Sequence, residues 1–337
     1  MFVLDPSIEF TSLLAQGYAG NNLKSRAAGA YVGLAVGDAL GATLEFLTPR
    51  EIHDRYGTHR DIVGGGWLRL SRGQVTDDTA MALALGSSIL AAGEVDRVAV
   101  AEAFSAWMRT KPVDIGNTVR RGISNYRQTG ETRTPENKYD AGNGACMRCL
   151  PVALAYLGAD EEVVAEANRR QSHVTHNNGV ADLGTLTVIR MVQSALVRGE
   201  RAALKRLADD LAAAEPRYGY DRKRMESPSG YIVDTLRAVF QSLFATDSFE
   251  SALVDVVNRG GDADTTGAIL GMIAGALYGI GSIPNRWISA LDKPIVEACL
   301  AQTPALLALA PYCLGSNRTR RWPKRTPVPI CFSRTRL

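Results

Sequence analysis

Glycine recurs every four residues in two stretches of the chain. The first set is Gly29, Gly33, Gly37 and Gly41, and the second is Gly267, Gly271, Gly275 and Gly279. At this spacing each set forms one stripe along a helix. Glycine inside a helix costs about 0.8–1 kcal/mol relative to alanine, so each stripe needs a compensating gain. Close backbone packing supplies it, which predicts two helices deep in the core, suited to packing against each other, with chemistry placed at helix ends.

The rest of the chain also favours helices, and no alternating series of apolar and polar residues indicates a sheet. Helical patterns cover Ser25–Ala42, Thr79–Ala92, Val98–Thr110, Gly116–Tyr126, Ala145–Leu157, Asp160–Arg170, Gly179–Arg198, Glu200–Ala214, Gly230–Ala245, Phe249–Asn258, Thr265–Tyr278 and Pro284–Ala290. Pro and Gly clusters between them mark loops rather than a domain boundary. The sequence therefore predicts an all-α, compact single-domain helical bundle over 25–312. It leaves 1–24 as an N-terminal extension and 313–337 as a basic, disordered tail.

Charge excludes one class of function. The net charge is +3, but seven of the 38 basic residues lie in the tail, which has no acid. The remaining 31 basic residues face 35 acidic ones, so the body is not a nucleic-acid-binding surface by charge. Five cysteines without framework spacing fit a reducing cytoplasm. The apolar run Gly267–Ile283 contains five glycines and is interpreted as a buried helix, so no membrane insertion is expected.

Two acidic clusters each precede an apolar helix. They are Thr76-Asp77-Asp78-Thr79 and Asp262-Ala263-Asp264-Thr265-Thr266. Helix capping explains either cluster alone, but both hold more carboxylates than a cap needs. If the clusters converge, four carboxylates could not all stay ionised without a counter-charge. Oxygen ligands without His or Cys select Mg²⁺ or Mn²⁺ over Zn²⁺, and this many could hold two ions about 3.5–4 Å apart.

These clusters, with several further motifs, resemble the ADP-ribosylglycohydrolase family. The motifs are Gly33-Leu34-Ala35-Val36-Gly37-Asp38-Ala39-Leu40-Gly41, Glu45-Phe46, Gln74-Val75-Thr76-Asp77-Asp78-Thr79, Pro112-Val113-Asp114-Ile115-Gly116, Gly142-Asn143-Gly144 with Met147-Arg148, His176, Tyr231-Ile232-Val233-Asp234-Thr235, and Gly260-Gly261-Asp262-Ala263-Asp264-Thr265-Thr266-Gly267. The acidic motifs carry most of the specificity. The likeness extends over about 23–311.

The resemblance implies an all-α bundle that holds two Mn²⁺ or Mg²⁺ ions. The implied metal ligands are Thr76, Asp77, Asp78, Asp262, Asp264 and Thr265. Glu45 would lie beside the metals and Asp114 would face the scissile bond, so both are candidates for acid–base catalysis. The implied lining of the ADP-ribose cleft is Gly116, Asn117, Asn143, Gly144, His176 and Tyr231.

The implied activity is removal of ADP-ribose from a modified protein arginine. Likeness to the nitrogenase-regulating members implies dinitrogenase reductase as the substrate, so that nitrogenase activity is restored. It also implies a PII-type signalling protein that draws a cytoplasmic enzyme to the membrane. Two alternatives stay open: an ADP-ribosyl-arginine hydrolase, or an immunity protein that occludes a toxin, with 1–24 as the blocking arm. A two-metal phosphohydrolase is a third, disfavoured by the sugar-directed motifs.

Weaker signals have plainer explanations. Asp114 follows a proline turn and could be a helix cap, and Tyr231 could be a core or rim aromatic rather than a base-stacking one. The spacing of His173 and His176 could suit zinc, but a hydrogen bond from His176 to phosphate or ribose is the preferred interpretation. The C-x-x-C pair at 146–149 predicts packing, and the glycines at 64–66 predict a flexible loop near the cleft.

Overall fold

The computed structural model describes residues 22–314, and every regular element in that range is helical. The α-helices are α1 (Leu23–Gly41), α2 (Pro49–Tyr56), α3 (Asp77–Ala92), α4 (Arg97–Arg109), α5 (Asn117–Thr129), α6 (Leu150–Ala155), α7 (Glu161–Ser172), α8 (Gly179–Val197), α9 (Arg201–Ala214), α10 (Ile232–Ala245), α11 (Phe249–Val257), α12 (Ala263–Tyr278), α13 (Asn285–Ile288), α14 (Lys293–Leu307) and α15 (Pro311–Leu314). Short 3₁₀ turns follow α9 and α12. The all-α prediction is confirmed. Apart from a few residues at their inner ends, the predicted extension 1–24 and tail 313–337 lie outside the described range.

The two glycine-striped helices pack against each other, as the spacing predicts. Gly29 of α1 lies against Gly275 of α12, and Gly41, at the other end of α1, lies against Ala263. The two helices are therefore antiparallel. A methyl group added at Gly37 would come within 2.0 Å of the carbonyl oxygen of Gly267, so the backbones touch without side chains between them. Both helices are buried almost along their whole length and form the centre of the core.

We expect Gly37→Ala to destabilise the fold, because the new methyl group cannot fit between the two backbones. Overpacking of this kind typically costs about 1–3 kcal/mol, and more where the backbone itself must move. Thermal and denaturant unfolding would measure the loss. Gly281→Ala is the matched control, since a methyl group there meets nothing within 4 Å. Equal stability of the two variants would show that the close approach of α1 and α12 is wrong.

The antiparallel arrangement decides where the chemistry lies. The C-terminal end of α1 and the N-terminal end of α12 meet at one end of the central pair. The start of α3 joins them there, because Asp38 of α1 accepts hydrogen bonds from the backbone of Thr76 and Thr79. The two acidic clusters precede α3 and α12 in the sequence and are thereby brought to the same place.

The sequence-based helices differ from the structure in two respects. Helices α2 and α14 were not predicted: α2 buries only Ile52, and prolines at the start and inside of α14 interrupt its pattern. The predicted helix Ala145–Leu157 is too long, since residues 145–148 form turns and α6 begins only at Leu150, just before Pro151. Pro151 lacks the N–H that a helix interior requires and suits a first turn.

The apolar run at 267–283 lies within α12 and the turn after it and is almost wholly buried, as predicted. Among the described helices, α8 is long and apolar enough by length and composition to cross a membrane. Just over half of that span, 56%, is buried in the fold. Its outer face carries Arg190, which pairs with Glu161 of α7. Length and hydropathy of this kind are also those of a core helix.

Candidate active site

A cleft of about 600 Å³ opens at the end of the central helix pair. Eleven of the fourteen predicted site residues line it: Glu45, Asp77, Asp114, Gly116, Asn117, Asn143, Gly144, His176, Asp262, Asp264 and Thr265. Thr76 and Asp78 are buried directly behind this lining and hydrogen-bond to it. Tyr231 is not part of the lining; it is half-buried and packs against the core. Its base-stacking role stays a prediction.

The acidic helix starts are not caps of their own helices. Thr76 and Asp262 occupy the N-cap positions of α3 and α12, yet neither side chain accepts a hydrogen bond from the first turn. The hydroxyl of Thr76 instead lies 3.2 Å from Asp78 Oδ2 and 3.5 Å from Asp264 Oδ2. The Thr265 hydroxyl lies 3.3 Å from Asp78 Oδ2. The two clusters therefore converge, and for these residues the capping interpretation is wrong.

Asp38 does the capping that Thr76 does not, and the sequence reasoning assigned it no role. Its carboxylate accepts hydrogen bonds from the N–H groups of Thr76 and Thr79 at 3.0 and 3.1 Å and from the Thr79 hydroxyl at 2.5 Å. A lone carboxylate on a buried glycine helix was the available signal. Because Asp38 satisfies the first turn of α3 from outside, Asp77 and Asp78 are left free for the cleft.

Neighbouring groups hold the cleft carboxylates in place. Asn143 donates through Nδ2 to Asp262 Oδ2 at 2.5 Å and to the hydroxyl of Thr235 at 2.9 Å. One amide proton therefore positions Asp262, and the other anchors the Asn143 side chain to Thr235. The backbone N–H of Gly116 donates to Asp77 Oδ2 at 3.2 Å, which ties the loop carrying Asp114 to α3.

Glu45, Asp114 and Asp264 form the tightest group of possible cation ligands in the described range. One carboxylate oxygen from each lies within 4.8 Å of the others. Glu45 and Asp264 are buried and Asp114 is half-buried. The structure thus brings the two predicted acid–base residues to the edge of the predicted metal ligands. A cation could bind there.

Burial and mutual repulsion make this cluster unfavourable without a counter-charge. Burial raises the pKa of Glu45 to about 8, and raises the pKa values of Asp77, Asp78 and Asp264 well above their usual range. Asp78 Oδ1 is buried and has no hydrogen-bond partner among the residues that the structure describes. An all-oxygen donor set with an unpartnered carboxylate oxygen fits a hard divalent cation, which would satisfy that oxygen and offset the negative charge.

A pH dependence follows for the chelator-treated protein. Between its ordinary pKa of 4.5 and the raised value of about 8, folded Glu45 keeps a proton that the unfolded chain has lost. Stability should therefore fall as pH rises through this window, because the folded state binds more protons. Glu45→Gln cannot lose a proton, so its melting temperature should fall less from about pH 5 to about pH 8. Identical pH profiles for the two proteins would contradict the raised pKa.

His176 is held as a neutral hydrogen-bond donor. Buried Arg148 donates to the Thr175 hydroxyl at 2.7 Å, and that hydroxyl lies 2.8 Å from His176 Nδ1. Within residues 22–314 the Thr175 hydroxyl has no other acceptor, so its proton goes to Nδ1 and leaves the proton of the ring on Nε2. Burial lowers the pKa of His176 to about 3, which keeps the ring uncharged. The Nε2 edge lies beside Gly142 and Gly144 in the cleft wall.

The other weaker predictions have mixed outcomes. His173 Nε2 bonds to Asp182 at 2.7 Å, so the two histidines are engaged separately rather than paired for zinc. Cys146 and Cys149 are buried in the core, as predicted. The glycines at 64–66 belong to a turn fastened by paired backbone hydrogen bonds between Gly65 and Leu70 at 2.8 Å, which is more tightly built than the predicted flexible loop.

Two aromatic residues at the cleft mouth were missed by the sequence reasoning. Phe46 and Trp67 line the cleft with ring centroids 5.3 Å apart, and Trp67 Nε1 donates to Glu45 Oε2 at 2.5 Å. The two residues are 64% and 54% exposed, respectively. Phe46 belongs to the Glu45-Phe46 motif, but nothing in the sequence around it indicates that its side chain is exposed.

Fold and cleft together define a class: a helical domain with an acidic, all-oxygen cleft at the ends of its central helices. The family described as ADP-ribosylglycohydrolase matches residues 19–317. The chain is 48% identical to the ADP-ribosyl-[dinitrogen reductase] glycohydrolase of Rhodospirillum rubrum over 86% of its length and 98% of that protein. The chain belongs to the ADP-ribosylglycohydrolase family.

Two further relatives share most of the chain. It is 34% identical to the ADP-ribosylarginine hydrolase Tri1 of Serratia proteamaculans, over 79% of this chain and 75% of that one. A solved structure titled as an ADP-ribosylglycohydrolase-related protein complex superposes with a TM-score of 0.76 and 34% identity. It covers 86% of this chain and 99% of its own.

Proposed function

We propose that this protein is a cation-dependent hydrolase that removes ADP-ribose from a modified protein arginine. The observation that carries the proposal is the meeting of Glu45, Asp114 and Asp264 within 4.8 Å in a cleft walled by polar groups. The family match and two relatives named for ADP-ribosyl hydrolysis support it. An occluding binder would not need such a cluster, and the arm it would use, 1–24, lies almost wholly outside the described residues.

The proposed cations are two Mn²⁺ or Mg²⁺ ions. The residues that would hold them are Thr76, Asp77, Asp78, Asp262, Asp264 and Thr265, with Glu45 and Asp114 at the edge. Divalent ions in such sites hold hydroxyl oxygens of a substrate and lower the pKa of bound water.

Cleavage requires proton transfer at both ends of the glycosidic bond. The bond joins the ribose anomeric carbon to a guanidinium nitrogen, and its rupture develops oxocarbenium-like positive charge. The surrounding carboxylates stabilise that charge. Asp114 and Glu45 can each donate or accept a proton, and together they supply one to the departing nitrogen and take one from the attacking water. Trp67 and the Ile115 backbone N–H fix these two side chains through one oxygen each.

The remaining wall of the cleft suits the ADP-ribose moiety. Nε2–H of His176 is available to a phosphate or ribose oxygen, and Asn117, Gly116 and Gly144 contribute backbone and amide groups. Asn143 acts on the substrate indirectly, because its amide protons already hold Asp262 and bond to Thr235. Neutral His176 adds a donor without adding charge to an acidic site.

We further propose that the modified target is dinitrogenase reductase, on the strength of the 48% identity to a relative named for that substrate. Recruitment by a PII-type protein, and cytoplasmic location with conditional membrane association, stay proposals from resemblance. The test offers purified protein three substrates: modified dinitrogenase reductase, an unrelated arginine-modified protein and a serine-modified protein. We expect release of ADP-ribose from the first, and a slower release from the second. Preference for the serine linkage would overturn the arginine assignment.

A further inference from the structure

Phe46 and Trp67, which we call the aromatic rim, are exposed to water, which is unfavourable for large apolar side chains. Both are large apolar side chains in contact with each other and exposed at the mouth of a polar cleft, and Val113, which is 45% exposed, is a further apolar residue of the lining. Contiguous exposed apolar groups next to a binding cleft mark a contact surface. No side chain of the described residues covers the two rings.

The backbone of Phe46 is also strained. Its φ angle is +64°, a left-handed conformation that is a genuine outlier for a bulky residue. Two backbone hydrogen bonds impose it: Phe46 N–H donates to Gly261 O at 2.7 Å, and Gly261 N–H donates to Leu47 O at 2.9 Å. These bonds tie the ring to the segment that carries Asp262. Strain that the surroundings over-determine is characteristic of functional positions.

Trp67 is fixed as firmly. Its indole N–H is committed to Glu45, and the turn beneath it is fastened by the Gly65–Leu70 bridge. The hydroxyl of Thr43 donates to Gly64 O at 2.9 Å, which secures the turn to the residues that follow α1. The rim is therefore a preorganised surface rather than a mobile lid.

From this geometry we propose that the aromatic rim receives the arginine of the modified protein, with its guanidinium plane and alkyl stem against Phe46 and Trp67. This rests on the proposed function, which makes the departing group an arginine. Arginine presents a planar cation that stacks on aromatic faces, and the carboxylates of Glu45 and Asp114 beside the rim complement its charge.

Adenine is the other planar group of the substrate that could stack on the aromatic rim. The location of the rim next to Glu45 argues against adenine. Trp67 is bonded to Glu45, which belongs to the group of carboxylates around the scissile bond. The adenine ring is separated from the anomeric carbon by two riboses and a pyrophosphate. A surface in contact with Glu45 is therefore on the side of the departing arginine, and its exposure lets an arginine on a folded protein reach it.

Phe46→Gly tests the proposal, because it removes the ring and also relieves the strain. We expect KM for ADP-ribosyl-arginine to rise about 2- to 30-fold, the range of a cation–π contact. Binding of free ADP-ribose, measured by calorimetry, should be unchanged, and the melting temperature should hold or rise. The separate variant Phe46→Tyr keeps an aromatic ring and should have the KM of the parent. Ser227→Gly, which relieves a positive φ of 47° without removing a ring, is the control and should leave KM unaltered.

The outcomes separate the two proposals. If the parent cleaves the substrate and Phe46→Gly has an unchanged KM, the proposal that the aromatic rim receives the arginine is refuted, and the proposed function is not. Weaker ADP-ribose binding in that variant would assign the ring to the nucleotide and also refute the proposal for the rim. A parent that releases no ADP-ribose from arginine would refute the proposed function, and the assignment of the rim would fall with it.

Discussion

Asp114→Asn is expected to lower the turnover of ADP-ribosyl-arginine by about 10²–10⁴-fold, the usual contribution of general acid–base catalysis. Asparagine keeps the shape of the side chain and can still accept from the Ile115 N–H, at 2.8 Å in the parent, but it cannot exchange a proton at the scissile bond. Affinity for free ADP-ribose should be retained. Cation binding should be retained as well, because asparagine keeps an oxygen donor at the edge of the group and the proposed ligands Asp78 and Asp264 keep their charge. Steady-state kinetics and calorimetry measure these effects separately.

Asp54→Asn is the control for this variant, because Asp54 is an exposed carboxylate on α2 that, among the described residues, pairs with Arg50 alone, at 3.8 Å. Its turnover should match that of the parent. Normal turnover in Asp114→Asn combined with weak ADP-ribose binding would move Asp114 from chemistry to recognition.

Asp78→Asn should abolish cation-dependent activity, for a different reason. Asp78 is fully buried, and its Oδ2 contacts the hydroxyls of Thr76 and Thr265, whereas its Oδ1 meets no partner in the described part of the chain. Removing its charge weakens the attraction for a divalent cation in a site built around carboxylates. The variant should remain folded, because the substitution also removes one repelling charge from the cluster.

Cation binding to this variant can be measured by thermal unfolding, independently of an activity assay. Added Mn²⁺ should raise the melting temperature of the parent, since a ligand that binds the folded state stabilises it. The rise should be lost in Asp78→Asn and kept in Asp54→Asn. An undiminished rise in Asp78→Asn would show that the cation binds elsewhere.

The central helices and the two acidic clusters could be predicted because their signals are local. A four-residue glycine period can be satisfied only by backbone contact, and Gly37 against Gly267 supplies it. An excess of carboxylates over what capping needs indicates a site before any partner is known. Convergence then depends on the antiparallel packing of α1 and α12 and on the hydrogen bonds from Thr76 and Thr79 to Asp38, which hold the start of α3 at the same end.

The parts that could not be predicted depend on contacts between distant residues. Asp38 caps α3 from another helix, so no capping pattern appears in the sequence next to Thr76. Trp67 hydrogen-bonds to Glu45, which is 22 residues earlier in the sequence. The turn that makes this contact possible is indicated in the sequence only by its glycines. Tyr231 was assigned to the cleft from its motif. The structure places it half-buried against the core, next to the cleft-lining Gly142 but outside the lining itself, and its base-stacking role stays a prediction.

The most direct test of the account incubates the full chain with ADP-ribosyl-arginine and measures free ADP-ribose, first in excess chelator and then after adding Mn²⁺ or Mg²⁺. The account predicts no release in chelator and full release once cation is restored, because the clustered carboxylates of the cleft require it. Full release in excess chelator, or none with either cation, would contradict it.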